Sequence, residues 1–199
     1  MVISQVQYSV LQTVINQGIA EASTALDAMV DCEVKLSVPN IELFDEVESK
    51  IAIFDHYRSS VSMVAMNFTG EIAGEASLFF LPESASVLVN ALTGHALVDG
   101  ELDALRMGTL TEVGNIIVNS ILGSLCRGFE HPFTFSLPSY LEGSGNQIMQ
   151  YGQYENVSLA IAHTSLQINE LQVQAALMLF FHQGSFSKLI RVLEQEVRV

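Results

Sequence analysis

Four residues in the second half of the chain, Gly108, Glu112, Asn115 and Asn119, fall at i, i+4, i+7 and i+11. On a helix this spacing puts them on one stripe, because residues three and four apart are neighbours. Leu105, Leu110, Val113, Ile116 and Ile117 lie mainly off the stripe and are expected to face the core. Glu112, a carboxylate, then stands one turn from Asn115, a carboxamide, on an exposed face. A carboxylate can pair with an ammonium, and a carboxamide can orient a water. The spacing Glu-x-x-Asn is common, however, and by itself assigns neither role. The equivalent stripe in the first half is Ser9, Thr13, Asn16 and Ala20. It keeps the amide and loses the carboxylate. Taken alone, Ser9 and Asn16 read as local backbone binders, and Asn119 as a surface or capping residue.

Other chemistries find little support. The five histidines, His56, His95, His131, His163 and His182, are scattered, with no pair at metal-ligand spacing. Cys32 and Cys126 form no CxxC or zinc pattern and read as buried reduced thiols. No glycine-rich phosphate loop, GxSxG elbow or HExxH is present. Eight basic residues against 22 acidic ones give a net charge of -14, which disfavours nucleic acid and anionic membrane surfaces as partners. The chain is 49% apolar and 15% charged, the balance of a folded protein with a sizeable core. Mean hydropathy is +0.36. The longest apolar run, 175–181, is strand-sized and far from the roughly 18 residues that span a bilayer. The start MVISQVQYSV lacks the charged and apolar regions of a signal peptide, so a cytoplasmic protein is expected.

The elements that must position the stripe repeat. Residues 5–30 read as a helix, 32–38 as a strand stopping at Pro39, and 40–60 as loop with a short helix near Asp45 to Lys50. Residues 61–68 and 71–81 form a hairpin around Thr69-Gly70, and Pro82 opens a helix ended by Gly94. The second half follows with a helix from about Glu101 to Leu125, a strand at 133–137 stopping at Pro138, and loop at 139–155. Strands at 156–168 and 170–181 and a helix from about Ser185 to Arg198 complete it. The adjacent pairs Phe79-Phe80 and Phe180-Phe181 read as sheet core.

This repeat has a fixed offset. Asn16 and Asn115 lie 99 residues apart, as do Pro39 and Pro138, and at the same offset GEIAGEASLFFL (70–81) faces NELQVQAALMLF (169–180). The expected architecture is therefore α/β: one domain, 1–199, made of two repeats, 1–99 and 100–199. The repeats are expected to be related by a pseudo-twofold axis and joined edge to edge in one sheet of about six strands under two packed long helices.

Asn115 and Pro138 are separated by 22 residues, and so are Asn16 and Pro39. The pattern resembles the CheC/CheX/FliY family of chemotaxis phosphatases, whose signature is Asp/Ser-x3-Glu-x2-Asn-x22-Pro. Gly108-Glu112-Asn115-Pro138 is similar to that signature, and Ser9-Thr13-Asn16-Pro39 is a second, altered copy. Two tandem copies and the run NQGIAEASTAL (16–26) are similar to CheC in particular. The resemblance implies hydrolysis of the aspartyl phosphate of a CheY-like response regulator, with Mg²⁺ held by the regulator and no cofactor of this chain's own. It assigns Asn115 to aiming the water and Glu112 to holding the regulator's lysine aside. It also implies a CheD-like deamidase as a further partner. Gly108 replaces an acidic or hydroxyl residue and Thr13 replaces the signature Glu. The first copy is thus expected to be inactive or nearly so. The competing expectation is a catalytically weak or inactive module that binds a regulator or a CheD-like partner. The middle domain of FliM, which shares the fold without the catalytic pair, is expected with flanking segments, whereas the elements here fill residues 5–198.

Overall fold

The computed structural model describes residues 3–29, 34–44, 60–93, 102–151, 157–168 and 171–196. The first half contributes α1 (Gln5–Met29), β1 (Val34–Phe44), β2 (Ser60–Thr69), β3 (Gly74–Phe80) and α2 (Pro82–Thr93). The second contributes α3 (Leu102–Cys126), β4 (Thr134–Phe135), β5 (Ser139–Ser144), α4 (Gly145–Tyr151), β6 (Ser158–Ile168), β7 (Leu171–Phe181) and α5 (Ser185–Glu196). The short helix expected at Asp45 to Lys50 lies outside the described residues, as does Gly94.

All seven described strands form one antiparallel sheet in the order β1-β6-β7-β3-β2-β4, with β5 also on β2. At its centre β3 meets β7, and Leu78 pairs with Leu177, its own counterpart at the 99-residue offset. The halves do more than meet at this seam. Strand β1 pairs with β6 of the second half, and β5 pairs with β2 of the first. Each half thus lends its first strand to the other's hairpin, where simple edge-to-edge joining was expected.

Neither proline stops pairing altogether. Strand β1 continues through Pro39 to Phe44, with a register shift between Ser37 and Asn40. Around Pro138 the same shift separates β4 from β5: Phe135 pairs with Phe68, and Ser139 with Ala65. Both segments are edge strands, where the missing proline N–H costs no ladder bond and a bulge takes up the extra residue. The segment 139–155, expected as loop, supplies β5 and then α4. A capping box starts that helix: Gln147 N donates to Ser144 Oγ at 3.4 Å, and Ser144 N donates to Gln147 Oε1 at 2.8 Å. Ser4 and Gln7 cap α1 in the same way.

Both faces of the sheet are buried, so the central strands do not alternate in and out of water. Val64, Met66 and Phe68 of β2 join the main core with α1, α2, α3 and α5, while Val61, Met63 and Ala65 join a smaller cluster that includes Ile148 of α4. Phe80 and Phe181 go to the main core, and Phe79 and Phe180 to the other face. Among the described residues, no helix is long and apolar enough to cross a membrane.

Close contact fixes the long helices. A Cβ at Gly18 of α1 would lie 2.6 Å from Ile121 Cα of α3, and one at Gly114 of α3 would lie 2.6 Å from Val64 Cβ of β2. Helix α3, which carries the stripe, therefore rests directly on both α1 and the sheet.

Glu71, in the β2–β3 turn, ties three elements together. Its carboxylate accepts bonds from the backbone N–H groups of Glu130 and His131 and from Lys188 Nζ of α5 at 2.9 Å, and it lies 3.2 Å from His131 Nδ1. The bonds from Lys188 and His131 hold its pKa down to about 2, against 4.5 for the free group. A depressed carboxylate pKa adds stability that is complete above the unfolded value and lost as pH falls through the folded one. Glu71→Gln is accordingly expected to melt below the wild type above about pH 5, by a margin that shrinks as pH falls from about 4.5 to 2. Thermal melts across that range check it; a margin independent of pH would contradict the role.

Candidate functional site

Apolar residues on one side of α3 anchor the helix: Leu110, Val113, Ile117, Val118, Ile121, Leu122 and Leu125 are all buried. The opposite side carries the stripe. Gly108 and Glu112 are exposed, and Asn115 and Asn119 are half-buried. Leu105, expected in the core, is 41% exposed and extends the stripe at its N-terminal end. It stands three residues before Gly108 and seven before Glu112, a spacing that shares their face. Ile116 is partly buried against the core.

Asn119 Nδ2 donates to Asn115 Oδ1 at 2.7 Å. Glu112 has neither an ion-pair partner nor a side-chain hydrogen bond among the described residues, so its carboxylate is available to an incoming cation. Nothing lies within 4 Å of a Cβ built at Gly108, which leaves an open notch between Leu105 and Glu112. Glycine is therefore not needed there for packing. Gly108→Ala is expected to raise stability by up to about 1 kcal/mol through helix propensity alone, checked by denaturant titration. Gly114 has the opposite meaning, because it admits Val64 of β2.

The stripe on α1 is also exposed at Ser9, Thr13, Asn16 and Ala20. Thr13 Oγ1 donates to the Ser9 carbonyl at 2.8 Å, so the hydroxyl that replaces a carboxylate is occupied by its own helix. Ser9 and Thr13 border a largely apolar cleft of about 480 Å³ with Gln5, Val6, Val10, Val14 and Leu193 of α5. The two stripes are thus chemically distinct, one presenting a free carboxylate and a bonded amide, the other an apolar cleft.

Beside the start of α3 lies a polar network that no local sequence pattern announces. Arg106 Nη2 donates to the buried Ser62 Oγ at 3.2 Å and lies 3.6 Å from Glu142 Oε1. The Tyr140 hydroxyl donates to Glu142 Oε2 at 2.9 Å and lies 3.1 Å from Ser62 Oγ. Burial pushes the Tyr140 pKa up, which keeps the phenol protonated. The network fastens the N-terminal end of α3 to β2 and β5.

His131 meets Glu71, and His163 Nε2 lies 3.1 Å from Glu42 Oε1; His182 is exposed. His56 and His95 lie outside the described residues, as does Cys32. Among the described residues, no three His, Cys, Asp or Glu side chains group so as to hold a metal ion. Half-buried Cys126 has its pKa pushed up to about 12 by desolvation, so its thiol stays protonated and unreactive at neutral pH.

The antiparallel sheet packed against the two long helices superposes on solved structures whose names are FliY, FliM and CheX. Thermotoga maritima FliY superposes with a TM-score of 0.76 at 15% identity, covering 98% of this chain and 99% of that one. A chain of the FliG–FliM complex from H. pylori gives 0.70 at 10% identity, covering 95% of this chain and 100% of that one. The CheX–CheY–BeF3–Mg²⁺ complex from Borrelia burgdorferi gives 0.55 at 16%, covering 85% and 97%. Residues 62–162, just over half of the sequence, match the family described as chemotaxis phosphatase CheX, and the chain belongs to that family. The matched stretch contains Gly108, Glu112, Asn115, Asn119 and Pro138, and none of the first copy from Ser9 to Pro39.

Proposed function

We propose that residues 1–199 form one domain of two copies, and that the copy on α3 hydrolyses the aspartyl phosphate of a CheY-like response regulator. The observation that carries the reading is the pairing of a free, exposed carboxylate with an amide held in place one turn away. Both sit on a helix fixed from behind by Gly18 and Gly114. Glu112 takes the ammonium of the regulator's active-site lysine. Asn115 aims a water in line with the phosphorus, which needs positioning and no nucleophile from this chain. The attacking oxygen bonds to phosphorus, the aspartyl C–O–P linkage breaks on its phosphorus side, and inorganic phosphate and a free aspartate result. The Mg²⁺ that stabilises such a phosphoryl group belongs to the regulator, and the site of action is the cytoplasm. The test is loss of label from each of the organism's own phosphorylated regulators, with and without the protein. If none loses phosphate faster with the protein than alone, the reading is overturned.

One observation favours a second reading, a non-catalytic module that binds a regulator or a CheD-like partner. Where the family signature carries an acidic or hydroxyl side chain, Gly108 leaves open space. Stable binding to a phosphorylated regulator without accelerated loss of phosphate would select it.

A further inference from the structure

We infer that Asn119 is a positioning residue that sets which way the Asn115 carboxamide faces, an inference that rests on the phosphatase reading for its catalytic consequence. A carboxamide has two nearly isosteric orientations that exchange its carbonyl oxygen and its NH₂ group, and only its hydrogen-bond partners distinguish them. The NH₂ of Asn119 is such a partner: its Nδ2 donates to Asn115 Oδ1 at 2.7 Å, and both residues are half-buried. With Asn119 oriented as in the structure, reversing the Asn115 amide alone would set two NH₂ groups against one another.

The bond leaves a defined set of groups at the surface. Asn115 Oδ1 keeps one lone pair, which can accept a hydrogen bond from the attacking water. Asn115 Nδ2 faces away from Asn119 and presents its donors to an anionic phosphoryl oxygen. A single amide then holds both the nucleophile and the group it attacks, which requires the carbonyl and the NH₂ to be in their assigned places. The first copy provides an independent comparison. Four residues after Asn16 stands Ala20, exposed and with nothing to donate, so that amide has no such partner at the same spacing. The copy that lost its carboxylate also lacks the group that would orient its amide. A bond of this kind between i and i+4 also supports a helix by a few tenths of a kcal/mol, and the experiment has to separate that effect from positioning.

The full chain with Asn119→Ala is compared with the wild type in two measurements. Alanine is a better helix former than asparagine, so loss of fold is not expected. The first measurement is the side-chain ¹³Cγ and ¹⁵Nδ2 resonances of Asn115 in the free protein. A positioning role moves them, because the carbonyl loses a donor and the amide samples both orientations; unchanged resonances would overturn the inference whether or not the protein is a phosphatase. The second is steady-state dephosphorylation. The expected result is kcat lowered three- to tenfold with KM for the phosphorylated regulator unchanged. An unchanged kcat in an active enzyme would overturn the inference as well. A wild type with no activity on any regulator would instead remove the phosphatase reading, and the resonances alone would then decide whether Asn119 orients the amide.

Discussion

Asn115→Ala is expected to lower the rate of regulator dephosphorylation about a hundredfold, whereas Asn16→Ala should leave it within twofold of the wild type. Removing one preorganised polar group aimed at the reacting centre typically costs 10²–10³ in rate, or about 2.7–4 kcal/mol. The fold should survive the change. Alanine recovers about half a kcal/mol of helix propensity, close to what the lost bond from Asn119 contributes, and the half-buried Asn119 amide can turn to water. Asn16 is also exposed, but its neighbours cannot complete a site. Thr13 carries no charge and its hydroxyl is committed to the Ser9 carbonyl, so a lysine ammonium finds no carboxylate there. Losing that charge-assisted contact costs a few kcal/mol, and each 1.36 kcal/mol is tenfold in rate. The measurement is turnover for the two single variants and the double variant, beside a thermal melt of each. If Asn16→Ala lost as much activity as Asn115→Ala with both proteins folded, assignment of the working site to α3 would be wrong.

The parts of this arrangement legible in the sequence were those governed by short spacings. The stripe on α3 follows from helical periodicity, and the element order of each half from strand and helix signals at one constant offset. What stayed hidden depends on partners distant in the chain. The exchange of β1 and β5 between halves pairs residues 74 to 134 positions apart, and no local pattern distinguishes it from pairing within a half. Leu105 was misplaced because an apolar residue near the start of a helix reads as core, while its position on the Glu112 face puts it in water. Helix α4 was missed although its signal was present: Ser144-x-x-Gln147 is a capping box inside a run rich in glycine and polar residues. The Glu71 cluster joins residues 59 to 117 positions apart and left no trace in spacing at all.

Gly18 is the position where sequence and structure make opposite predictions. Judged by propensity, a glycine inside a 25-residue helix is a defect, and replacing it with leucine should stabilise by about 0.8 kcal/mol. Judged by packing, it is where α1 crosses α3. A Cβ there would come within 2.6 Å of Ile121 Cα and 2.9 Å of the Ser120 carbonyl oxygen. Both are backbone atoms of a helix that is itself seated on Val64 through Gly114, so neither can turn aside as a side-chain end would. Overpacking of this sort costs about 3 kcal/mol when the backbone has to move. The packing effect is larger, and Gly18→Leu is expected to lose about 2 kcal/mol net. For a chain of 199 residues that corresponds to a Tm lower by about 4–8 °C. Gly123, exposed and with nothing within 4 Å of a built Cβ, is the control, since Gly123→Ala should gain stability from propensity alone. Calorimetry of the three proteins decides between the arguments. A Gly18→Leu protein melting at or above the wild type would mean that the helices do not touch at Gly18. It would also mean that α3 is not held as closely from behind as positioning of the Glu112–Asn115 face requires.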